Sequence, residues 1–314
     1  IFAWLLTMEP KKPLGFKGLL VLVPVTALTT GTGLLMIPLL SDYPATAILV
    51  VLIALFFSTY LSVSLGQVTV GMLLTIGITL ISAVGTVSFV AAIGVINGFL
   101  MAIVISISSQ WLVYPLFPED PVSLEPPAEK VGNEHALWIS VRTTLIVIPV
   151  YLLCLTNPLM YTALILKSVS LGQQSTVGDT KAAAKVLLGS TLMGGVLAIV
   201  FWFALKLNVS LWMFFLWMLL IGIGVAAKIY GLRASKYSVD FWSTALVTML
   251  ILLGPAVADS ANGKDVYQAF AVRLSLLFAV AIYAWITVLA LDQLRVRLRR
   301  GSSSLSATSA TING

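Results

Sequence analysis

The chain has 314 residues, 59% of them apolar and 10% charged, with a formal net charge of +6, one cysteine and one histidine. Soluble domains are about 45–50% apolar and about 25% charged, so this composition excludes an ordinary water-soluble globule. The lone Cys154 excludes an intrachain disulfide and a cysteine-built metal cluster, and the basic residues fall between apolar runs, which points to membrane topology rather than to nucleic acid.

In hydrocarbon the backbone must satisfy its own hydrogen bonds, so spans are helices or closed barrels. The apolar runs lack strict alternation and approach the ~20 residues that a helix needs to cross. An all-α polytopic membrane protein follows. The chain opens at Ile1 inside "IFAWLLT", which reads as the end of an interrupted span, so part of the N-terminus is expected to be missing. Ten spans are predicted after it, at 17–40, 44–62, 67–85, 88–115, 137–155, 157–170, 181–205, 209–230, 239–258 and 266–292. The 157–170 run is short and carries Pro158 near its start.

Lys and Arg set the orientation. With the C-terminal tail in the cytoplasm, the cytoplasmic connections carry Lys11, Lys12, Lys17, Lys130, Lys167, Lys181, Lys228, Arg233, Lys236 and the cluster Arg295–Arg300. The opposite face receives only Lys206 and Lys264, together with Asp42, Asp259 and Asp265. The Pro- and Glu-rich stretch Phe117–His135 reads as a linker. The expected organisation is a first, N-terminally incomplete transmembrane repeat (1–116), a cytoplasmic linker (117–136), a second repeat (137–293) and a basic, then disordered cytoplasmic tail (294–314). The segment from Met8 is similar to that from Lys167, at an offset near 165 residues. The hexapeptide "SVSLGQ" also occurs twice, at Ser62 and Ser168, but at an offset of 106. Its copies therefore share a topological position, the end of a span where Gly can terminate the helix, and not a place in the repeat.

No phosphate-binding Gly-rich loop, H-E-x-x-H or G-x-S-x-G motif is present. With one His and one Cys, the chain offers no nucleophile–base pair, so an enzyme is not expected, and no cofactor or metal is implied. All twelve acidic residues fall in loops or at predicted span ends, whereas Arg142 and Arg273 each lie about one and a half turns inside a span. Off-centre arginines can anchor a helix at the interface by snorkelling. They can equally orient an anion passing between helices through the planar guanidinium fork. Lys181 and Lys185, one turn apart, either fix topology or extend a positive entrance. Asn97 is a mid-span amide in need of a partner across helices. The small and hydroxyl clusters Thr26–Gly33 and Leu188–Gly195 mean close helix packing, or else a broken helix lining a path.

The stretch Tyr161–Val200, with Lys185 followed by Gly189 and Gly194, resembles the repeat core of the fusaric acid resistance family. That family includes bacterial aromatic-acid exporters and is similar to the plant aluminium-activated malate channels. The resemblance implies two repeats of about six transmembrane helices and an inner-membrane transporter subunit that exports small organic, possibly aromatic, anions. It also implies a periplasmic adaptor (membrane fusion protein) as partner, and a homo-oligomer. Membrane lipids and a small organic anion complete the expected contacts; nucleic acid is not among them. Arg142, Arg273, Lys181, Lys185 and Asn97 are the candidate substrate-binding residues, in a bacterial inner membrane with the C-terminus cytoplasmic. An anion channel or a non-transporting scaffold are the alternatives. The chain departs from the family pattern in having Lys185 where arginine is usual, and in lacking a large cytoplasmic domain at the linker.

Overall fold

A computed structural model describes residues 14–66, 68–116, 133–158, 161, 164–165, 167–169, 180–261, 263 and 265–312. Among these residues there are helices and no strands. The helices are α1 (Phe16–Asp42), α2 (Pro44–Leu65), α3 (Val68–Ile76), α4 (Ser82–Val87), α5 (Phe89–Val113), α6 (Asn133–Thr156), α7 (Thr180–Leu207), α8 (Leu211–Ile229), α9 (Val239–Ala261) and α10 (Val266–Ile312). A π-helical turn, Gly77–Ile81, joins α3 to α4 without a break, so the two form one span, 69–87. Nine described spans are long and apolar enough to cross a membrane, and the protein is an all-α, multi-pass membrane protein. Of the ten predicted runs, 157–170 is not among the nine; its described residues are helical from 158 to 169.

Local chemistry sets the boundaries. Pro44 stands at the first turn of α2, where its missing N–H costs nothing. Ser88 caps α5 by accepting from the Ala91 N–H at 3.2 Å, and Ser210 caps α8 by accepting from Met213 at the same distance. Gly66, in the first hexapeptide, ends α2 with φ +68°, the left-handed conformation that glycine takes without strain. The second copy is described only at Ser168 and Val169.

Two four-helix groups share one packing scheme. In the first, α1 lies along the α3–π–α4 span, α2 packs on both, and α5 closes against α1 and α4. In the second, α7 lies along α9, α8 packs on both, and α10 closes against α7 and α9. In each group the first and third spans touch backbone to backbone. A methyl placed on Gly33 would run into the Gly77 carbonyl oxygen, and one placed on Gly194 would run into that of Ala245. The small-residue clusters therefore serve close packing. α6 joins the groups, packing on α2 and α4 on one side and α10 on the other, and one continuous apolar core runs through all three parts. This parallel concerns four-helix groups; residues 1–13 and most of 157–179, which the expected six-span repeats include, lie outside the described residues.

Two expected boundaries move. α6 begins at Asn133, inside the stretch expected as linker, and 117–132 lie outside the described residues. The tail, expected to be disordered, continues α10 as helix to Ile312. Its Leu, Arg, Ala, Ser and Thr residues contain no proline, and Gly301 alone opposes the helix at about 1 kcal/mol.

Candidate buried cation site

Lys167 is the most consequential departure from the sequence reading. It was expected in a cytoplasmic connection, yet it is 1% exposed and among the largest fully buried side chains. Its Nζ donates to Thr248 Oγ1 at 2.8 Å, and Thr248 is the middle residue of the α9 span 239–257. That contact puts the ammonium at the level of the middle of the α9 span.

The surroundings are built from small and hydroxyl residues. Thr248 Oγ1 donates onward to the Thr244 carbonyl at 2.7 Å, so it offers a lone pair to the ammonium and keeps no proton free. Gly194 lies against Thr248 and brings α7 close to α9 at this level. One turn away on α7, Ser190 and Thr191 are buried, and both donate to the Leu187 carbonyl, at 3.1 and 2.7 Å. Among the described residues Thr248 is the one hydrogen-bond partner of Nζ, and no carboxylate lies within ion-pair distance. An ammonium has three N–H donors, and the bond to Thr248 uses one of them.

The first group carries its own polar seam, without a cation. Ser58 Oγ lies 3.0 Å from Thr75 Oγ1 and donates to the Gly71 carbonyl at 3.0 Å; Thr75 donates to the same carbonyl at 2.8 Å. Thr79 donates to the Thr75 carbonyl within the π-helical stretch, and Ser82 Oγ meets Tyr151 Oη of α6 at 3.1 Å. π-helical turns recur at functional sites; here the turn is fully buried beside the Gly33–Gly77 contact.

The residues predicted from sequence are not gathered in one place. Arg142 is 5% exposed on α6, flanked by the buried Ser140, Thr143 and Thr144, so it points into the bundle and is not an interface anchor. Arg273, a candidate anion-binding residue, forms an ion pair with Asp259 at 2.5 Å, so its charge is met by a carboxylate. Asp259, in the last turn of α9, is 8% exposed. Antiparallel α9 and α10 bring the last turn of one beside the second turn of the other. Asn97 faces outward on α5, away from the interior, and so does not line the site. Lys181 and Lys185 lie in the first turns of α7, with side chains outside the described residues. Trp202 and Trp242 are each 6% exposed and belong to the core. Among the described residues no group of three His, Cys, Asp or Glu side chains is placed to hold a metal ion.

Residues 1–113 match a protein family described as "Protein of unknown function (DUF2955)". The match ends at the last residue of α5 and so covers the first helical group. No curated protein and no solved structure matches the chain.

Proposed function

We propose that the protein is the membrane subunit of a transporter that moves small organic anions, aromatic carboxylates among them, out of the cell across a bacterial inner membrane. The reading rests on one observation above the others: a lysine ammonium at mid-span depth, hydrogen-bonded to Thr248 and with no carboxylate beside it among the described residues. Removing an ammonium from water costs several kcal/mol, and ionisable groups inside a membrane bundle mark substrate or ion pathways. An anionic ligand would supply a counter-charge and further acceptors to the ammonium. Arg142 is buried as well, on α6.

The resemblance to fusaric acid resistance proteins supports the same reading, because the resembling stretch, Tyr161–Val200, contains both Lys167 and Gly194. A periplasmic adaptor and a homo-oligomer are the partners that this reading carries with it. The membrane potential is a sufficient driving force: an inside-negative potential drives an anion outward with ~2.3 kcal/mol per charge per 100 mV.

The test is flux from proteoliposomes loaded with a benzoate-type carboxylate, under a potassium-diffusion potential negative inside. The expected result is potential-dependent loss of the carboxylate above protein-free vesicles. Folded, reconstituted protein that releases no more carboxylate than protein-free vesicles would reject transport in favour of a scaffold. Chloride passing as readily as the carboxylate would favour an unselective anion channel.

A further inference from the structure

A groove of about 600 Å³ runs along the outside of the second helical group, between α7 and α9, lined by Leu188, Gly189, Leu192, Met193, Val196, Tyr237 and Phe241. Its wall on α7 extends from Leu188 to Val196, about 12 Å along the helix axis, from near the end where α7 begins toward the bilayer middle. Gly189 makes the recess: a methyl there would stand 3.0 Å from the Phe241 ring. At the mouth, Tyr237 stacks on Phe241 at 4.3 Å and is itself exposed.

The mouth opens directly onto the α8–α9 connection, which is ordered and basic. Gly231, with φ +73°, ends α8, and the Arg233 N–H bonds back to the Ala227 carbonyl at 2.9 Å. The Tyr237 N–H and Trp242 Nε1 both donate to Ser235 Oγ, at 3.1 and 2.8 Å, pinning the loop to the start of α9. Lys228 Nζ lies 3.6 Å from the Trp242 ring centroid. From 228 to 240 the chain carries Lys228, Arg233 and Lys236 against the single carboxylate of Asp240, and Arg233 and Lys236 are exposed.

We infer that this groove and loop form a binding site for an anionic phospholipid. One acyl chain lies along Leu188, Leu192 and Val196, and the phosphate is held by Lys228, Arg233 and Lys236. An apolar slot aligned with the lipid tails and capped by three cations matches the two ends of such a lipid. A zwitterionic lipid offers the same tails but no net charge to the loop. Each cation at an anionic lipid surface gives roughly a fivefold preference.

The experiment uses the full chain in detergent, stripped of lipid and titrated with phosphatidylglycerol or phosphatidylcholine of identical chains, with retention read by native mass spectrometry. Wild type should retain phosphatidylglycerol about a hundredfold better than phosphatidylcholine, the product of three such preferences. The combined variant Lys228→Gln/Arg233→Gln/Lys236→Gln should erase that preference. Leu192→Trp, which fills the groove from its exposed side, should weaken retention of both lipids, and Val196→Phe replaces it where it does not fold. Equal retention of the two lipids by wild type, or full retention by the groove-filling variant, would overturn the site.

Discussion

Lys167 spends one N–H on Thr248, and Thr248 spends its own proton on Thr244. Nothing in that chain of bonds needs the lysine for packing, because Thr248 keeps its bond to Thr244 whatever replaces the ammonium. Lys167→Met keeps length and removes charge, so its thermal unfolding in micelles should occur at the same temperature as wild type or higher, as exchange of buried ions for apolar side chains often gives. A large drop would mean that the ammonium holds the bundle together instead of waiting for a ligand. Arg273 is the opposite case. Asp259→Asn leaves a guanidinium without its ion partner and should cost about 1.5–3 kcal/mol, the scale of a hydrogen bond to a charged group. The exchange Asp259→Arg with Arg273→Asp should recover most of it, and should leave carboxylate flux unchanged. Loss of flux in the exchanged protein would return Arg273 to the pathway. The pairing was legible in part: an aspartate in the last turn of one span and an arginine in the second turn of the next lie at the same depth in an antiparallel hairpin, and the packing of the two helices turns them toward each other.

At the scale of helices, glycine separates contacts that hold the fold from surfaces that do not. Gly33 and Gly194 lie where first and third spans meet backbone to backbone, and a methyl on either would strike a carbonyl oxygen of the neighbouring helix. Gly33→Ala and Gly194→Ala should each destabilise by about 1–3 kcal/mol, the cost of overpacking. Gly94 and Gly98 on α5 have nothing within 4 Å of the added methyl, so alanine there should be neutral or should gain up to about 1 kcal/mol of helix propensity. Unfolding of all four variants in one detergent checks the contrast, and equal effects would contradict the packing scheme. The clusters around Gly33 and Gly194 were legible as close contacts because small residues admit neighbouring backbones. The π-helical turn at Gly77–Ile81 was not, since "GITLI" has the hydropathy of any span and the widening follows from what it packs against.

Across the whole molecule, the apolar runs reveal the spans because hydropathy depends on composition, which the sequence states directly. Depth is different. The run ending at Lys167 is followed by the polar residues "SVSLGQQSTVGDTK", and a hydropathy reading places such a lysine at the water boundary. The structure buries it, against the middle of the α9 span. The short length of the run was the available signal. Likewise Asn97 was assigned to the interior from its mid-span position alone, whereas the face it occupies depends on which side of α5 packs against α1 and α4.

The central claim is that the ammonium of Lys167 receives the transported anion. The most direct measurement is potential-driven carboxylate efflux from proteoliposomes holding equal amounts of folded wild type, Lys167→Met and Lys167→Arg. Loss of a charge-assisted hydrogen bond, about 1.5–3 kcal/mol, corresponds to roughly a tenfold to hundredfold slower rate. The account predicts a fall of that size for methionine and partial retention for arginine, which keeps the charge. Efflux from the methionine variant at the wild-type rate would contradict it.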